Sequence, residues 1–422
     1  MMAIYLDIFI VLLLFLFLVK EKQLNILNSA LIYWCFHVFF VTFRGVQIFL
    51  LGSKIISNKW YSTYITLEEI DKAILVADVS LVAFFVGFSV FTLNFKKSGN
   101  ALLKQFEFMK EGRQKWVDKY MIVVFILGLI GIVTYRSIAD RDLEAEEYST
   151  FSNMMTGLGI ISAIVLLYEK GFKKIYLTYF FILLIFYSLQ GENRFRVVLA
   201  SLFVLMIYLK QLNLKLPPLK YYVIGFVFIL FSFPLKEVGK SFQETGKLEF
   251  TEVLKDSYEE FKEGESGDMS FIEQSAGMIG AIDVKGVQFW GDTYKPIFFF
   301  FVPRSLWADK PALNEWQHKI SITGRDFGEM GQISLISGES YANFRYIGVF
   351  VISFLIGRWY SFLYNKYANL PIQHKGFLLL LLFNMVLFQV WRDGMISLVL
   401  FPFLNYLPIM ILYFIKKPVA TL

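Results

Sequence analysis

Of 422 residues only one is cysteine and only three are histidine, and Lys, Arg, Asp and Glu together reach 18%. Each shortage excludes something. A lone Cys35 forbids an intrachain disulfide and leaves too few thiolates for a structural zinc site or an iron–sulfur centre. A soluble chain of this size carries about a quarter charged residues, so a soluble globular enzyme is ruled out. Proline is scarce as well, ten in all, and no repeat or low-complexity tract interrupts the chain. What is present in excess is apolar and aromatic. Hydrophobic residues make up 56% and aromatics 18%, with 47 Phe and a mean hydropathy of +0.55, which is the composition of a polytopic membrane protein.

A helix needs about 20 apolar residues to cross the hydrocarbon core. Apolar runs of that order recur near 3–19, 24–51, 73–95, 120–136, 151–168, 175–190, 197–214, 220–235, 345–364, 376–391 and 395–415. The expectation is an all-α polytopic protein with about 11 transmembrane helices. It divides into an N-terminal bundle (1–235), one large external loop (236–344) and a C-terminal bundle (345–422). The first run has no basic segment before it and no small-residue cleavage site, so it reads as a retained span rather than a signal peptide.

Lysine sets the orientation. Lys96, Lys97, Lys104, Lys110, Arg113, Lys115 and Lys119 crowd one connection, which the positive-inside tendency keeps in the cytoplasm. Alternation then places Lys170, Lys173 and Lys174, Lys210, Lys215 and Lys220, and Lys416 and Lys417 on the same side, and the loop 236–344 outside. The first half of that loop, from Glu249 to Asp268, has acidic residues interleaved with Val253, Leu254, Tyr258 and Phe261, as in an amphipathic surface helix. Its run Ile297–Val302 is too short to span and reads as re-entrant or interfacial.

Arginine runs against the lysine pattern. Only Arg113 and Arg358 fall on the cytoplasmic half, whereas Arg44, Arg136, Arg141, Arg194, Arg196, Arg304, Arg325, Arg345 and Arg392 are external. The guanidinium fork grips phosphate and carboxylate bidentately, so the set points to an external pocket for a polyanion. The alternative, that each Arg pairs with a nearby acid or snorkels to headgroups, is the better reading for any one of them.

Four local clusters carry the chemistry. Gly191-Glu192-Asn193-Arg194-Phe195-Arg196 is a short turn bearing two Arg. Val302-Pro303-Arg304-Ser305-Leu306-Trp307-Ala308-Asp309-Lys310-Pro311 brackets two cations and an interfacial or sugar-stacking Trp between prolines. Ser337-Gly338-Glu339-Ser340-Tyr341-Ala342-Asn343-Phe344 supplies a carboxylate at the mouth of a late span. Trp391-Arg392-Asp393-Gly394 puts a charged pair in the last external turn. Weaker signals are Asp140-Arg141-Asp142, a D-x-D triplet that reads better as a solvated acidic turn, and Gly239-Lys240-Ser241, which lacks the first glycine of a phosphate loop. His318 has the right chemistry for a general base. His37 and Asp78, inside apolar runs, read as hydrogen-bonding residues between helices.

The order of these clusters resembles the oligosaccharide repeat-unit polymerases, the Wzy-type O-antigen and capsule polymerases of bacteria, over most of the chain. The carrying motifs are the Arg turn at 191–196, Phe301 to Pro311, Gly338 to Gly348, and Arg392. Arg345 departs from the family, which more often has Gly after Asn-Phe, and the 191–194 spacing is looser than G-x-R. The resemblance implies a GT-C-like glycosyltransferase of the bacterial inner membrane, active at the periplasmic face in lipopolysaccharide or exopolysaccharide biosynthesis. Its substrates would be undecaprenyl-pyrophosphate-linked oligosaccharide units, with a flippase and a chain-length regulator as partners and membrane lipid around it. On this reading Arg194, Arg196, Arg304 and Lys310 bind pyrophosphate, joined by Arg325 and Arg392, while Trp307, Tyr341 and Asn343 contact glycan. Glu339 is the first choice for the base that deprotonates the acceptor hydroxyl, followed by Asp393, Glu192 and His318. No metal, other cofactor or nucleic acid is expected. The rival functions are an O-antigen ligase and a flippase or exporter of lipid-linked sugars.

Overall fold

The structure is a computed structural model that describes residues 2–51, 65–89, 119–131, 155, 157–189, 194–218, 251, 255, 270–299, 302, 306–307, 309–310, 315–321, 334–372 and 374–399. Among them every regular element is helical. In chain order these are α1 (Met2–Lys20), α2 (Ser29–His37), a π-helical turn (Val38–Thr42), α3 (Phe43–Leu51), α4 (Leu67–Ser89) and α5 (Lys119–Gly131). They continue with α6 (Leu158–Lys170), α7 (Lys174–Leu189), α8 (Arg194–Gln211), α9 (Phe271–Lys285), α10 (Lys295–Phe299), α11 (Glu315–Ile320), α12 (Leu335–Tyr367) and α13 (Lys375–Asp393).

Five helices among the described residues are long and apolar enough to cross a membrane: Met2–Lys20, Ser29–Leu50, Leu67–Ser89, Leu335–Tyr367 and Gly376–Asp393. They coincide with the expected runs at 3–19, 24–51, 73–95, 345–364 and 376–391. The runs at 120–136, 151–168, 175–190 and 197–214 contain shorter apolar helices within the described residues. The run at 220–235, all but residues 395–399 of the run at 395–415, and nearly all of the acidic stretch 249–268 lie outside the described residues.

Two compact units divide the chain. The first comprises Met1–Leu93, Tyr258–Asn365 and Leu387–Val399. It cuts across the three-part division read from the sequence, because most of the expected external loop belongs with the first three spans.

Within this unit the helices join by close backbone approach and by hydroxyl bonds. A Cβ on Gly87 of α4 would lie 2.1 Å from the Phe354 carbonyl oxygen of α12, and one on Gly357 would lie 2.2 Å from the Phe84 carbonyl oxygen. The reciprocal glycines let the two backbones touch, the device by which apolar helices associate where lipid supplies no hydrophobic drive. Beside this contact the Tyr33 hydroxyl donates to Ser80 Oγ at 2.9 Å, and Ser80 shares a 2.7 Å hydrogen bond with Ser353. The Tyr33 ring also stacks on Trp391, centroids 3.5 Å apart. At the start of α2, Asn28 accepts from the Ala30 N–H at 2.9 Å and donates to the Gln23 carbonyl, which fixes the turn from α1.

Helix α9 is the buried element that the sequence reading did not separate from the loop. Its residues Phe271 to Ile282 are all buried, and it packs along α4. Gly280 sits so close that a Cβ would meet the Glu69 carboxylate. Ser275, Ala276, Gly277, Gly280 and Ala281 give it a narrow profile.

Helix α12 is not continuous. Phe344 (φ −139°, ψ 20°) and Arg345 (φ 56°, ψ −150°) leave helical space and break it into a short N-terminal piece and a long span. Arg345 occupies a region that only glycine visits freely, at a cost of about 1–3 kcal/mol.

The second unit comprises Asn94–Ser257, Lys366–Val386 and Leu400–Leu422. In it α5 meets α6 where Gly128 faces the Gly159 backbone. Ser162 and Tyr179 share a 3.0 Å hydrogen bond between α6 and α7. Lys210 donates to the Ala368 carbonyl at 2.7 Å.

Candidate functional site

The short piece of α12 before the kink holds the Gly338 to Phe344 motif, and helical spacing sorts its polar side chains onto two faces. Glu339 and Asn343, four residues apart, share one face, and Tyr341 points away from them. Two sites result.

The first is built around Glu339, which is 5% exposed. Its Oε1 accepts from the Thr293 hydroxyl at 3.1 Å and its Oε2 from the Met395 backbone N–H at 2.7 Å. Asn343 Nδ2 donates to Thr293 Oγ1 at 2.6 Å and to the Glu339 carbonyl at 3.0 Å, while Asn343 Oδ1 accepts from the Gly291 N–H at 2.8 Å. The Phe289 and Trp290 N–H groups cap the Ala342 and Asn343 carbonyls freed by the kink. Tyr294 lies against Ser340 and Asn343, and burial beside the Glu339 charge holds its phenol above the usual range, so it stays neutral. Gly394 makes this closure possible: its φ is +91°, and a Cβ there would stand 2.1 Å from Glu339 Oε2. Residues 291–294, 339–343 and 394–395 thus converge on one carboxylate.

The second site lies on the other face. The Asp283 carboxylate receives the Tyr341 hydroxyl at 2.9 Å, Arg345 Nη1 at 2.8 Å and the Lys72 ammonium, and Arg345 Nη2 reaches the Val287 carbonyl at 3.0 Å. Lys72 and Arg345 also lie over the Tyr341 ring, 5.3 and 5.1 Å from its centroid. Two cations share one acid, and the charged side chains are about a third exposed. Lys72 and Asp283 were missed by the sequence reading. They lie 211 residues apart, and the one available signal was a lysine near the start of a span.

The other sequence-selected residues are distributed as follows. Asp393 ends α13 and accepts from Gln389; Arg392 Nε lies 3.4 Å from Asp393 Oδ1, and its guanidinium stands 5.6 Å from the Phe271 ring centroid. Both directly precede the Gly394–Met395 step that meets Glu339. Lys310 is buried and donates to the Val302 carbonyl at 2.9 Å, and the partly exposed Trp307 packs edge-on against Phe299. His318 is exposed on α11. Arg194 and Arg196 form the first turn of α8, in the second unit, and their side chains lie outside the described residues, as do Arg304, Arg325 and Glu192 altogether.

For Arg44, Arg345 and Arg392 the pairing alternative holds. Arg345 pairs with Asp283. Arg44, 2% exposed, places Nε at 2.7 Å and Nη2 at 2.5 Å from Glu273 Oε1 and Nη1 at 3.2 Å from Gln47. Burial pushes the Glu273 carboxyl up, and the Arg44 guanidinium pulls it back. Arg44 is therefore an internal counter-ion and not part of an open anion pocket. No protein-family model, curated protein or solved structure matches the chain.

Proposed function

We propose that this chain is a membrane glycosyltransferase of the bacterial inner membrane that polymerises undecaprenyl-pyrophosphate-linked oligosaccharide units at the periplasmic face. It transfers the growing glycan from one lipid carrier to the next lipid-linked unit. The observation that carries the reading is convergence. Residues 291–294, 338–344 and 392–395, set far apart along the chain, meet around Glu339, and two of these segments belong to the motif order that resembles the polymerases.

In this mechanism the donor loses its pyrophosphate carrier as the acceptor hydroxyl attacks the anomeric carbon, and the hydroxyl proton passes to a carboxylate. Cations at Arg304, Lys310, Arg325 and Arg392 stabilise the charge that develops on the departing phosphate, the electrostatic contribution that is usually largest. Both Glu339 oxygens hold internal hydrogen bonds, so Glu339 serves as base only when Thr293 releases it. Asp393, more exposed and adjacent to the same turn, is the second carboxylate within reach of an acceptor.

The test is the surface glycolipid of a strain lacking the gene. A polymerase mutant carries a single repeat on lipid A–core, restored to long chains by the plasmid-borne gene. A mutant with no repeat at all identifies a ligase, and lipid-linked units trapped on the cytoplasmic side identify a flippase; either result overturns the proposal.

A further inference from the structure

Three helices of the first unit bring ionisable groups together inside the bundle, at a place the glycosyltransferase reading does not use. Asp7 of α1, His37 at the end of α2 and Asp78 of α4 have side-chain exposures of 0%, 1% and 3%. His37 Nε2 lies 2.8 Å from Asp7 Oδ1 and 3.3 Å from Asp78 Oδ1, and one ligand atom from each residue lies within 4.8 Å of the others. All three belong to helices apolar and long enough to cross a membrane, where an ionisable side chain is costly and marks function by default.

The hydrogen bonds do not close. One imidazole N–H faces four carboxylate oxygens. Asp7 Oδ2, both Asp78 oxygens and His37 Nδ1 are buried with no hydrogen-bond partner. Among the described residues no lysine or arginine pairs with either aspartate. Tyr33 cannot help, since its hydroxyl is committed to Ser80 and its ring meets His37 edge-on at 6.3 Å. With both carboxylates ionised the cluster carries two negative charges beside a neutral imidazole, or one beside an imidazolium, in a medium of low dielectric where either needs compensation.

We propose that Asp7, His37 and Asp78 bind a divalent transition-metal ion of the zinc class, which pins α1, α2 and α4 together. A divalent ion cancels the two carboxylate charges and supplies the missing partner to the unsatisfied oxygens. One imidazole with two carboxylates is a donor set for zinc or manganese, whereas calcium and magnesium take oxygen donors. Zinc bonds of about 2.0–2.2 Å set tetrahedral ligand atoms about 3.3 Å apart. The His37–Asp78 separation of 3.3 Å already matches, and the His37–Asp7 separation of 2.8 Å is roughly half an ångström short of it. The π turn Val38–Thr42 follows His37 directly and places the Thr42 hydroxyl beside Asp7 as a further oxygen donor. Such turns recur at functional sites.

The test uses the full chain in detergent, purified from zinc-supplemented and from chelator-treated cultures, with metal content measured by mass spectrometry. The proposal expects about one zinc per chain from the first culture, little from the second, and a higher unfolding temperature for the loaded protein. His37→Ala should lose the zinc and the temperature shift. His318 and His374 remain in that variant, so retention at other histidines cancels. If His37→Ala does not elute as a folded species, the isosteric Asp78→Asn serves in its place. Zinc retained equally by wild type and variant overturns the proposal. So does a metal-free wild type whose infrared spectrum carries a protonated-carboxyl band that Asp78→Asn removes, which would make the cluster a proton site. The readout is independent of glycan synthesis.

Discussion

The Glu339 carboxylate and the Met395 backbone N–H are 2.7 Å apart although 56 residues separate them, and the contact ties the N-terminal piece of α12 to the turn after α13. Because Thr293 holds the other oxygen, Glu339 has a structural duty whatever its chemical one. Glu339→Gln keeps an acceptor for Met395 and a partner for Thr293, so the protein should remain folded, with a loss of stability of about 1–2 kcal/mol. Glu339→Ala leaves the half-buried Met395 N–H and the Thr293 hydroxyl without this acceptor and should cost about 2 kcal/mol or more. Thermal unfolding in detergent ranks the two. Glycan synthesis then separates base from brace: a folded Glu339→Gln protein with normal polymer removes Glu339 as base and transfers the role to Asp393, tested by Asp393→Asn.

Gly394 should tolerate no side chain. Its φ of +91°, and the 2.1 Å that would separate a Cβ at this position from Glu339 Oε2, predict that Gly394→Ala destabilises by about 2–4 kcal/mol. An unfolding temperature unchanged from wild type would refute the closure described around Glu339.

The Arg44–Glu273 pair should behave as a buried ion pair. Arg44→Met alone, or Glu273→Leu alone, strands one charge and should cost about 3–5 kcal/mol, whereas the double variant should recover most of that loss. A double-mutant cycle on unfolding temperature measures the coupling, and additive losses would contradict the pairing.

Arg345 sets backbone strain against an ion pair. Arg345→Gly and Arg345→Ala both delete the contact with Asp283, and only glycine relieves the φ of 56°. The glycine variant should be the more stable of the two by about 1 kcal/mol. Equal stabilities would show that the kink carries no strain.

The apolar runs made the spanning helices legible, since length and hydropathy alone specify a span. The Gly338 to Phe344 motif was legible as a carboxylate-bearing segment, but that helical spacing sets Glu339 and Asn343 on one face was seen only in the structure. What could not be read was partnership at long range. Arg44 looked like an anion ligand because Glu273 lies 229 residues further on, in a helix whose small, mildly apolar residues gave no strong period. The strained backbone at Arg345 and the ion pair that accompanies it could not be read either, because both required Asp283 to be placed. His37 was legible as an interhelical hydrogen-bonding residue, whereas its partner Asp7 sits unmarked in the first apolar run, and Asp78, read in the same way, faces His37 at 3.3 Å without a hydrogen bond.

The most direct measurement is to incubate the purified protein in detergent with undecaprenyl-pyrophosphate-linked repeat units alone and to resolve the glycolipids on a gel beside an Arg304→Ala control. The account predicts a ladder of products from the wild type without nucleotide sugar, and none from the variant. A single unchanged band from folded wild-type protein would contradict it.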